Sequence, residues 1–514
     1  MLRWESDATG TRTEYSYDSL KRLTQIRRTG VTNALVAIPT IATNIAYDAS
    51  GRTTLRTVVG ANLALTNRWS YDPAGRLLTE ISDTGLTTSY SYASGGRIVT
   101  TTLPTGGTTV RELYRDRRLN SQTGTAVVSE FHTNRVIYGD MVEIPLLDTI
   151  HWATPSSPRW SATGYDDLSL QALTRKPDFD GVSVVEEIRH HEDFLDKLAS
   201  IETTGKPPTS YDLDFDGQLG QISQGSRHLA DDGRVSATTR QYLNVGGCWF
   251  LTQTNLTFLG DGTSEATVTG VRIERLSGFA SPAVLSEITT FDADNNPTVV
   301  TTCVDRSAKK ITEVTAAPTS TLSATKITVN GLLISESTTT VATPITHFYD
   351  ALGRETSVKS PFGFSAHTSY NEFGQVIGTS DFTGDSITYE YYPNGVPGAG
   401  NVKCEVRRNG RKTYHSYTLR GEPYRTWGDV PYPEERVYSQ YGELIELHTF
   451  RGGSGWSSSD WPAATTGTPD VTTWIYQEPS GLLTNKTGFF RNYLVNFHWV
   501  CLRDGREEAF RVDF

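Results

Sequence analysis

Polar and apolar residues alternate along most of this chain in runs of about eight residues, and the runs end at turn-forming sequences. The clearest example has a strand-like run ending at Tyr71 and a second run starting at Arg76. Between them lies Asp72-Pro73-Ala74-Gly75. In a four-residue β-turn the aspartate caps backbone N–H groups, the proline presets φ, and the glycine relieves crowding at the fourth position. The pattern therefore predicts a β-hairpin.

This turn recurs at a nearly constant interval. The spacing is 24 residues from Tyr47 to Tyr71 and 21 from Tyr71 to Tyr92. A second Gly-containing turn lies between successive motifs, so one unit is two strands and two turns. The predicted turn residues are Asp48 with Gly51, Asp72 with Gly75, Asp350 with Gly353, and Asn371 with Gly374. The aspartates are interpreted as turn caps and not as catalytic acids.

An aromatic residue precedes most of these turns. Because alternate residues of a strand share one face, these rings are predicted to stack in columns that stiffen the sheet. The members of this predicted column are Tyr17, Tyr47, Tyr71, Tyr92, Tyr349, Tyr370, Tyr391, Tyr417 and Tyr438. The whole chain is thus expected to be all-β and built from tandem hairpins.

The strength of the repeat divides the chain into segments. We expect repeat arrays at 1–120 and 346–450, divergent β-rich repeats at 121–345, a Gly/Ser/Thr-rich loop at 451–470, and a truncated repeat with a terminal hairpin at 471–514. Residues 183–201 leave two alternatives open. A capping-box pattern from Ser183 to Glu186 favours a helix, while alignment with residues 17–26 favours a degenerate repeat.

Composition narrows the class of protein. The net charge is −11 with a pI near 5.5, which argues against a nucleic-acid groove. The N-terminal residues show no signal-peptide pattern, and no apolar run is long enough to span a membrane. The four cysteines have no C-x-x-C spacing, so no zinc site is indicated. No cofactor is expected.

The motif resembles the YD repeats of the Rhs family, whose pattern is Tyr-Asp-x-x-Gly-Arg-Leu. Residues 71–77 and 349–354 match it closely, and the resemblance covers roughly 11–120 and 346–450. The resemblance implies a β-sheet that spirals into a hollow shell, which in bacterial Rhs and toxin-complex proteins encloses a toxin and in teneurins serves adhesion. No Rhs core motif or toxin domain is found, so we expect a partial shell.

Two sets of residues are weak candidates for ligand chemistry. Asp212, Asp214 and Asp216 precede Gly217 at the spacing of a calcium loop, although Ser223 stands where such a loop has a bidentate glutamate. Trp456 and Trp461 in the 451–470 loop could stack on sugars or on a partner protein, or pack back on the sheet.

These patterns predict a non-enzymatic structural wall, which scaffolds or encloses a toxin or other polypeptide within a larger secreted protein. Its expected partners are other repeats or a toxin segment of the parent polypeptide. The alternative is a cell-surface module that adheres to a glycan or a protein. A third hypothesis, a hydrolase, requires a carboxylate pair in a cleft.

Overall fold

The structure is a computed structural model that describes the chain except for residues 34–35, 138–143, 166–169, 179, 193–196, 214–217, 225–233, 246–247, 259–263, 273–282, 292–296, 318–320, 431, 452–455, 463–467, 491–492, 501–508 and 514. It divides into two compact units. Unit 1 contains Met1–Gly85 and Val235–Tyr389, and unit 2 contains Leu86–Arg234 and Glu390–Phe514.

Unit 1 is built from antiparallel strands, each paired with its neighbours in sequence. A small two-stranded ladder of β4 and β5 interrupts the series between β3 and β6. The strands are β1 (Trp4–Ser6), β2 (Arg12–Tyr17), β3 (Leu23–Arg28), β4 (Val31–Thr32), β5 (Ala37–Ile38), β6 (Ile41–Tyr47), β7 (Thr53–Gly60), β8 (Leu63–Tyr71), β9 (Leu77–Ile81), β22 (Arg234–Val245), β23 (Cys248–Phe258), β24 (Ser264–Arg272), β25 (Ala283–Phe291), β26 (Pro297–Asp305), β27 (Lys310–Ala316), β28 (Ser323–Val329), β29 (Leu332–Thr338), β30 (Val341–Tyr349), β31 (Glu355–Lys359), β32 (Ser365–Tyr370), β33 (Val376–Ser380) and β34 (Ser386–Tyr391).

Unit 2 has the same antiparallel organisation and contains one short 3-10 helix, Ser94–Gly96. Its strands are β10 (Thr87–Ala93), β11 (Ile98–Thr102), β12 (Thr108–Leu113), β13 (Leu119–Thr123), β14 (Glu130–Ile137), β15 (Ile144–Trp152), β16 (Trp160–Tyr165), β17 (Gln171–Pro177), β18 (Val184–Glu192), β19 (Lys197–Thr203), β20 (Thr209–Leu213), β21 (Leu219–Gln224), β35 (Val402–Arg407), β36 (Lys412–Tyr417), β37 (Pro423–Gly428), β38 (Glu434–Tyr438), β39 (Leu444–Thr449), β40 (Asp470–Tyr476), β41 (Leu483–Phe490), β42 (Tyr493–Val500) and β43 (Ala509–Asp513).

The all-β prediction is confirmed, and no α-helix occurs among the residues that the structure describes. Residues 183–201 supply the hairpin strands β18 and β19, with Ile188 opposite Glu202. The degenerate-repeat alternative is therefore correct and the helix alternative is wrong. The capping-box sequence does not begin a helix because β18 pairs with β17 on one side and with β19 on the other. No described helix is long and apolar enough to cross a membrane.

A β-bulge recurs at the tyrosine of most motifs, although the register is continuous at Tyr92. Tyr71 pairs with Leu77 while Ser70 pairs with Thr79, so Leu78 is the extra residue and its side chain is exposed. Such a bulge lets a five-residue connection close a hairpin without shifting the rest of the ladder. Equivalent register shifts occur at Tyr17, Tyr47, Tyr349, Tyr370, Tyr417, Tyr438 and Tyr476.

The hairpins of each unit have two kinds of turn, at opposite ends of the strands. We call the turns after the bulged tyrosine motif turns, as at 72–75, and those at the other end return turns, as at 82–85. In the first half of unit 1 the return turns lie against motif turns from its second half. A Cβ on Gly60 would be 1.9 Å from the carbonyl oxygen of Ala351, and one on Gly85 would be 3.6 Å from the ring of Phe373. We call this contact the unit 1 seam.

Unit 2 contains its own seam between residues roughly 300 positions apart along the chain. The N–H of Gly395 donates to the carbonyl of Pro104 at 2.7 Å, and the hydroxyl of Thr105 donates to the carbonyl of Leu419 at 3.2 Å. Further along, Arg159 reaches Glu443 at 2.6 Å. Turns thus join strands that are distant in sequence within each unit.

Candidate functional site

The motif turn is closed by a network centred on its first residue. In the turn at 72–75, the N–H of Gly75 donates to the carbonyl of Asp72 at 2.9 Å, and Gly75 has a φ of 86°, where glycine is favoured. One carboxylate oxygen of Asp72 accepts the N–H of Arg76 at 2.8 Å, and the other accepts its Nε at 2.7 Å. The aspartate is therefore a turn cap with an ion pair across the turn.

The same geometry recurs at the other aspartate turns. The Asp48 carboxylate accepts from the Arg52 N–H at 2.9 Å and from its Nε at 2.6 Å, and Asp350 binds Arg354 in the same way at 3.0 and 2.6 Å. The N–H donated by the backbone of the arginine holds the pKa of Asp48 and Asp72 below the usual aspartate value, with the guanidinium adding to the effect. These carboxylates are held ionised by the turn itself.

Motif arginines of unit 1 also reach forward to the next repeat. The guanidinium of Arg52 lies over the ring of Tyr71, 4.9 Å from its centroid, and donates to the backbone carbonyl of Asp72 at 3.1 Å. The Tyr71 hydroxyl donates back to the carbonyl of Thr53 at 2.9 Å. We call this arrangement the arginine–tyrosine latch. It links consecutive hairpins by a cation–π contact and two hydrogen bonds.

The latch occurs elsewhere in unit 1. Arg22 lies 4.7 Å from the ring centroid of Tyr47, and both hydrogen bonds of the latch are present there. Arg354 lies 4.4 Å from the ring centroid of Tyr370, whose hydroxyl donates to the carbonyl of Glu355, but the buried Nη1 of Arg354 has no hydrogen-bond partner among the described residues. The partner of these three rings is thus a guanidinium of the preceding repeat, where the sequence suggested a neighbouring ring. The spacing of one arginine per motif was visible in the sequence, but its forward reach depends on how consecutive hairpins stack.

Most of the predicted column tyrosines, including those of the latches, donate their hydroxyls to backbone carbonyls of earlier residues. Tyr92 and Tyr391 are half-buried on β10 and β34. Tyr392, adjacent to Tyr391, makes an edge-to-face contact with Tyr417 at 6.2 Å. The hydroxyl acceptors are the carbonyls of Leu2 for Tyr17, Leu23 for Tyr47, Leu333 for Tyr349, Glu355 for Tyr370, Val402 for Tyr417 and Pro423 for Tyr438.

Where the motif lacks Asp and Arg, the two positions change together. Asn371 caps its turn through Oδ1 and donates its amide to Gln375 at 2.9 Å, so a neutral pair replaces the ion pair, and Gly374 closes the turn with a φ of 82°. A hydroxyl at the first position is matched by a glutamate at the fifth. The Thr418 hydroxyl donates to Glu422 at 2.7 Å, and the Ser439 hydroxyl donates to Glu443 at 3.2 Å.

Asp212 is the one described member of the calcium candidate. It lies on β20, opposite Gln221, while Asp214 and Asp216 lie outside the described residues. Within the described part of the chain, no cluster of three or more His, Cys, Asp or Glu side chains is placed to hold a metal ion.

Trp456 and Trp461 lie in an aromatic cluster of unit 2. Trp456 is 5% exposed and packs on Phe450 and Trp461, with ring centroids 5.2 and 5.0 Å apart. Trp461 also meets Trp427 edge-to-face at 5.7 Å. The described part of the 451–470 loop is thus folded over the sheet. Packing covers the indole face of Trp456 that a sugar would need, so the alternative in which these rings pack back on the sheet is the one observed.

The sequence and the fold were compared with known proteins. A sequence profile of the RHS repeat matches residues 71–108, which begin at the latch tyrosine Tyr71. This segment carries an RHS repeat. The predicted resemblance to Rhs repeats is therefore confirmed over these residues. No curated protein matches the sequence at significant similarity.

Solved structures share the fold of this chain. A crystal structure of TcdB2-TccC3-TEV and one of TcdB2-TccC3 without its hypervariable C-terminal region each superpose with a TM-score of 0.53 at 13% identity over 97% of this chain. A Tc holotoxin pore of Photorhabdus luminescens with a TccC3 mutation gives 0.53 at 12% identity. This chain corresponds to 27%, 26% and 26% of those chains, respectively. The likeness shows the fold.

Substitution of Asp72 tests the cap. Asp72→Ala removes the acceptor for two N–H donors, so we expect a lower urea midpoint at pH 7. Asp72→Asn keeps the Oδ1 acceptor, as Asn371 does, and should lose about half as much. Because the folded state depresses the pKa of Asp72, its charge stabilises the fold above the unfolded value of about 3.9 and ceases to do so as the pH falls through the folded value.

Urea unfolding of the wild type and both variants at pH 7 and near pH 3 provides the measurement. Asp116, on an exposed turn with a 3.8 Å ion pair to Arg118, supplies the matched control as Asp116→Asn. Equal effects of Asp72→Asn and Asp116→Asn, or a wild-type advantage over Asp72→Asn that survives acidification, would contradict the assigned cap.

Proposed function

We propose that this chain forms part of the wall of an Rhs-type shell that scaffolds or encloses a toxin or another polypeptide segment of a larger secreted protein. The observation that carries the proposal is the arginine–tyrosine latch. In unit 1 it ties consecutive hairpins together at Arg22, Arg52 and Arg354, each of which lies over the tyrosine of the next motif.

Such a latch stiffens the sheet of which a wall is made. Paired strands satisfy the backbone donors and acceptors, and the latch then resists sliding of one hairpin against the next at the strand ends, where ladders fray most easily. The turns also make the seams, so the same residues that close each hairpin hold distant strands together. Both properties favour a wall over a flexible linker.

The role is non-enzymatic. The recurrent carboxylates are occupied by their own turns, so they lack the freedom and the raised pKa that a general acid requires. The expected partners are further repeats of the parent polypeptide and the segment it encloses. A cell-surface adhesion role has less support, because the indole of Trp456 is buried and both indoles pack against each other.

Protection of a passenger tests the proposal. The 514-residue chain is fused to an unstructured polypeptide, and tryptic cleavage of that passenger is followed by mass spectrometry. Enclosure predicts cleavage about tenfold slower than for the passenger fused to an unrelated β-domain of similar size. Breaking latches with Arg52→Ala and Arg354→Ala should restore part of the cleavage rate.

Equal cleavage in the two fusions would overturn enclosure. A glycan array probed with the same chain addresses the adhesion alternative, which predicts reproducible binding to a defined sugar. Sugar binding together with an unprotected passenger would replace the shell wall by a surface module as the function.

A further inference from the structure

Unit 1 exposes a cluster of phenylalanines on two neighbouring return turns of its second half. Phe362 is 80% exposed, Phe364 is 60% exposed, and Phe382 is 43% exposed. The turns at 360–363 and 381–384 are two strands apart in the series β31 to β34, so they lie about 10 Å from each other along one edge. We call this edge the Phe rim. Clustered exposed rings of this kind mark an interaction surface.

The unit 1 seam shows what a return turn of this fold contacts. The turn at 82–85 is closed by the Gly85 N–H on the Ser82 carbonyl at 3.0 Å, and it receives Phe373 from a motif turn. The turn at 381–384 is closed in the same way, by the Gly384 N–H on the Asp381 carbonyl at 3.1 Å, and has the same φ at its glycine, 79° against 76°. The Phe rim therefore has the backbone of a seam turn.

The side chains of the Phe rim invert the pattern of the seam. In the seam, the large residues Leu352 and Phe373 stand at the third position of motif turns, and the return turns offer Gly60 and Gly85. On the Phe rim the return turns themselves carry the large residues. A complementary surface must therefore be a row of motif turns with small residues at the third position.

Unit 1 itself presents such a row. The motif turns at 48–51 and 72–75 carry Ser50 and Ala74 at the third position, and both residues are exposed. These turns are separated by the two strands β7 and β8, so their spacing of about 10 Å equals that of the Phe rim. The order of the turns along the sheet also agrees with the seam. In both cases the earlier return turn faces the earlier motif turn, and the later return turn faces the later motif turn.

We propose that a second copy of this chain docks head to tail on unit 1, with Phe362 over the Ser50 turn and Phe382 over the Ala74 turn of the next copy. The contact continues the seam geometry from one copy to another. The two surfaces are different, so the contact is heterologous and generates rings or open-ended assemblies instead of isologous dimers. The proposal does not depend on enclosure of a passenger.

Sedimentation velocity of the full chain from about 1 to 100 µM tests this docking. We expect an average mass that rises with concentration past that of a dimer. The double variant Phe362→Asp/Phe382→Asp should stay monomeric, and so should Ala74→Trp, which fills the recipient turn at an exposed site. Phe348→Asp is the matched control, because Phe348 is 48% exposed but lies within β30, and its association should equal that of the wild type.

A mixture of Phe382→Cys and Ala74→Cys chains then locates the contact. Oxidation should yield a covalent dimer whose cross-linked peptides contain residues 382 and 74, while either variant alone should not give that peptide pair. A chain that remains monomeric at every concentration overturns the proposal. Association that survives both the Phe rim variant and Ala74→Trp, as pairing through edge strands would, overturns it equally.

Discussion

Replacing Trp427 with alanine is expected to lower the free energy of unfolding by about 3–5 kcal/mol. Trp427 is 4% exposed and stacks on Tyr414 with ring centroids 5.6 Å apart. Its Nε1 donates to the carbonyl of Ser458 at 3.0 Å, which anchors the loop segment that contains Trp456. Truncation therefore leaves a cavity under the loop and removes the hydrogen bond that holds it.

The measurement is urea unfolding followed by far-UV circular dichroism, which does not depend on the fluorophore being removed. Trp4→Ala provides the matched control, because Trp4 is 53% exposed and its loss should cost less than about 1 kcal/mol. The loop should also become sensitive to proteases in Trp427→Ala. A variant as stable as Trp4→Ala would show that the aromatic cluster is not a core of unit 2.

Arg159→Ala is expected to destabilise unit 2 by about 2–3 kcal/mol. The Arg159 side chain is 12% exposed, its Nη1 lies 2.6 Å from a Glu443 carboxylate oxygen, and its guanidinium lies 3.9 Å from the ring centroid of Tyr441. Its Nε donates to the carbonyl of Glu478 at 3.1 Å. Removing the arginine leaves the partly buried Glu443 carboxylate without its cation.

Arg118→Ala is the control for this prediction, since its side chain is 49% exposed and its ion pair with Asp116 is long at 3.8 Å, so it should cost less than about 1 kcal/mol. Chemical unfolding of Arg159→Ala, Glu443→Gln and the double variant gives the coupling. The double variant should cost much less than the sum of the two single variants. Additive effects would mean that the two side chains act independently.

The hairpins could be predicted from the sequence because they are local. Turn chemistry at Asp72 and Gly75, alternation along the strands and a period near 21 residues each act within one unit, and together they specify the turns and the strand order. The family resemblance rested on the same local motif, and the profile match falls on it.

The seams could not be predicted, because they join residues roughly 300 positions apart and no local signal marks the partner. Arg159 and Glu443 are ordinary charged residues until the fold brings them together. The sequence also left open whether Trp456 packs back on the sheet, since a Gly/Ser-rich loop gives no indication of which surface it covers. The role of Arg52 could be predicted only in part. The periodic spacing of the motif arginines is visible in the sequence, but the partner of Arg52 belongs to the next hairpin.

The paired exchange at the first and fifth turn positions explains why so much of this fold escapes recognition by sequence. Asp with Arg, Asn with Gln, and Thr or Ser with Glu build turns of the same shape. Each exchange alters the residues that identify the motif while the backbone stays in place. The residues at these two positions can thus be exchanged together, one turn after another, with little loss of stability. In such a protein the fold persists after the sequence has changed, and relatives at this distance are found by superposing structures.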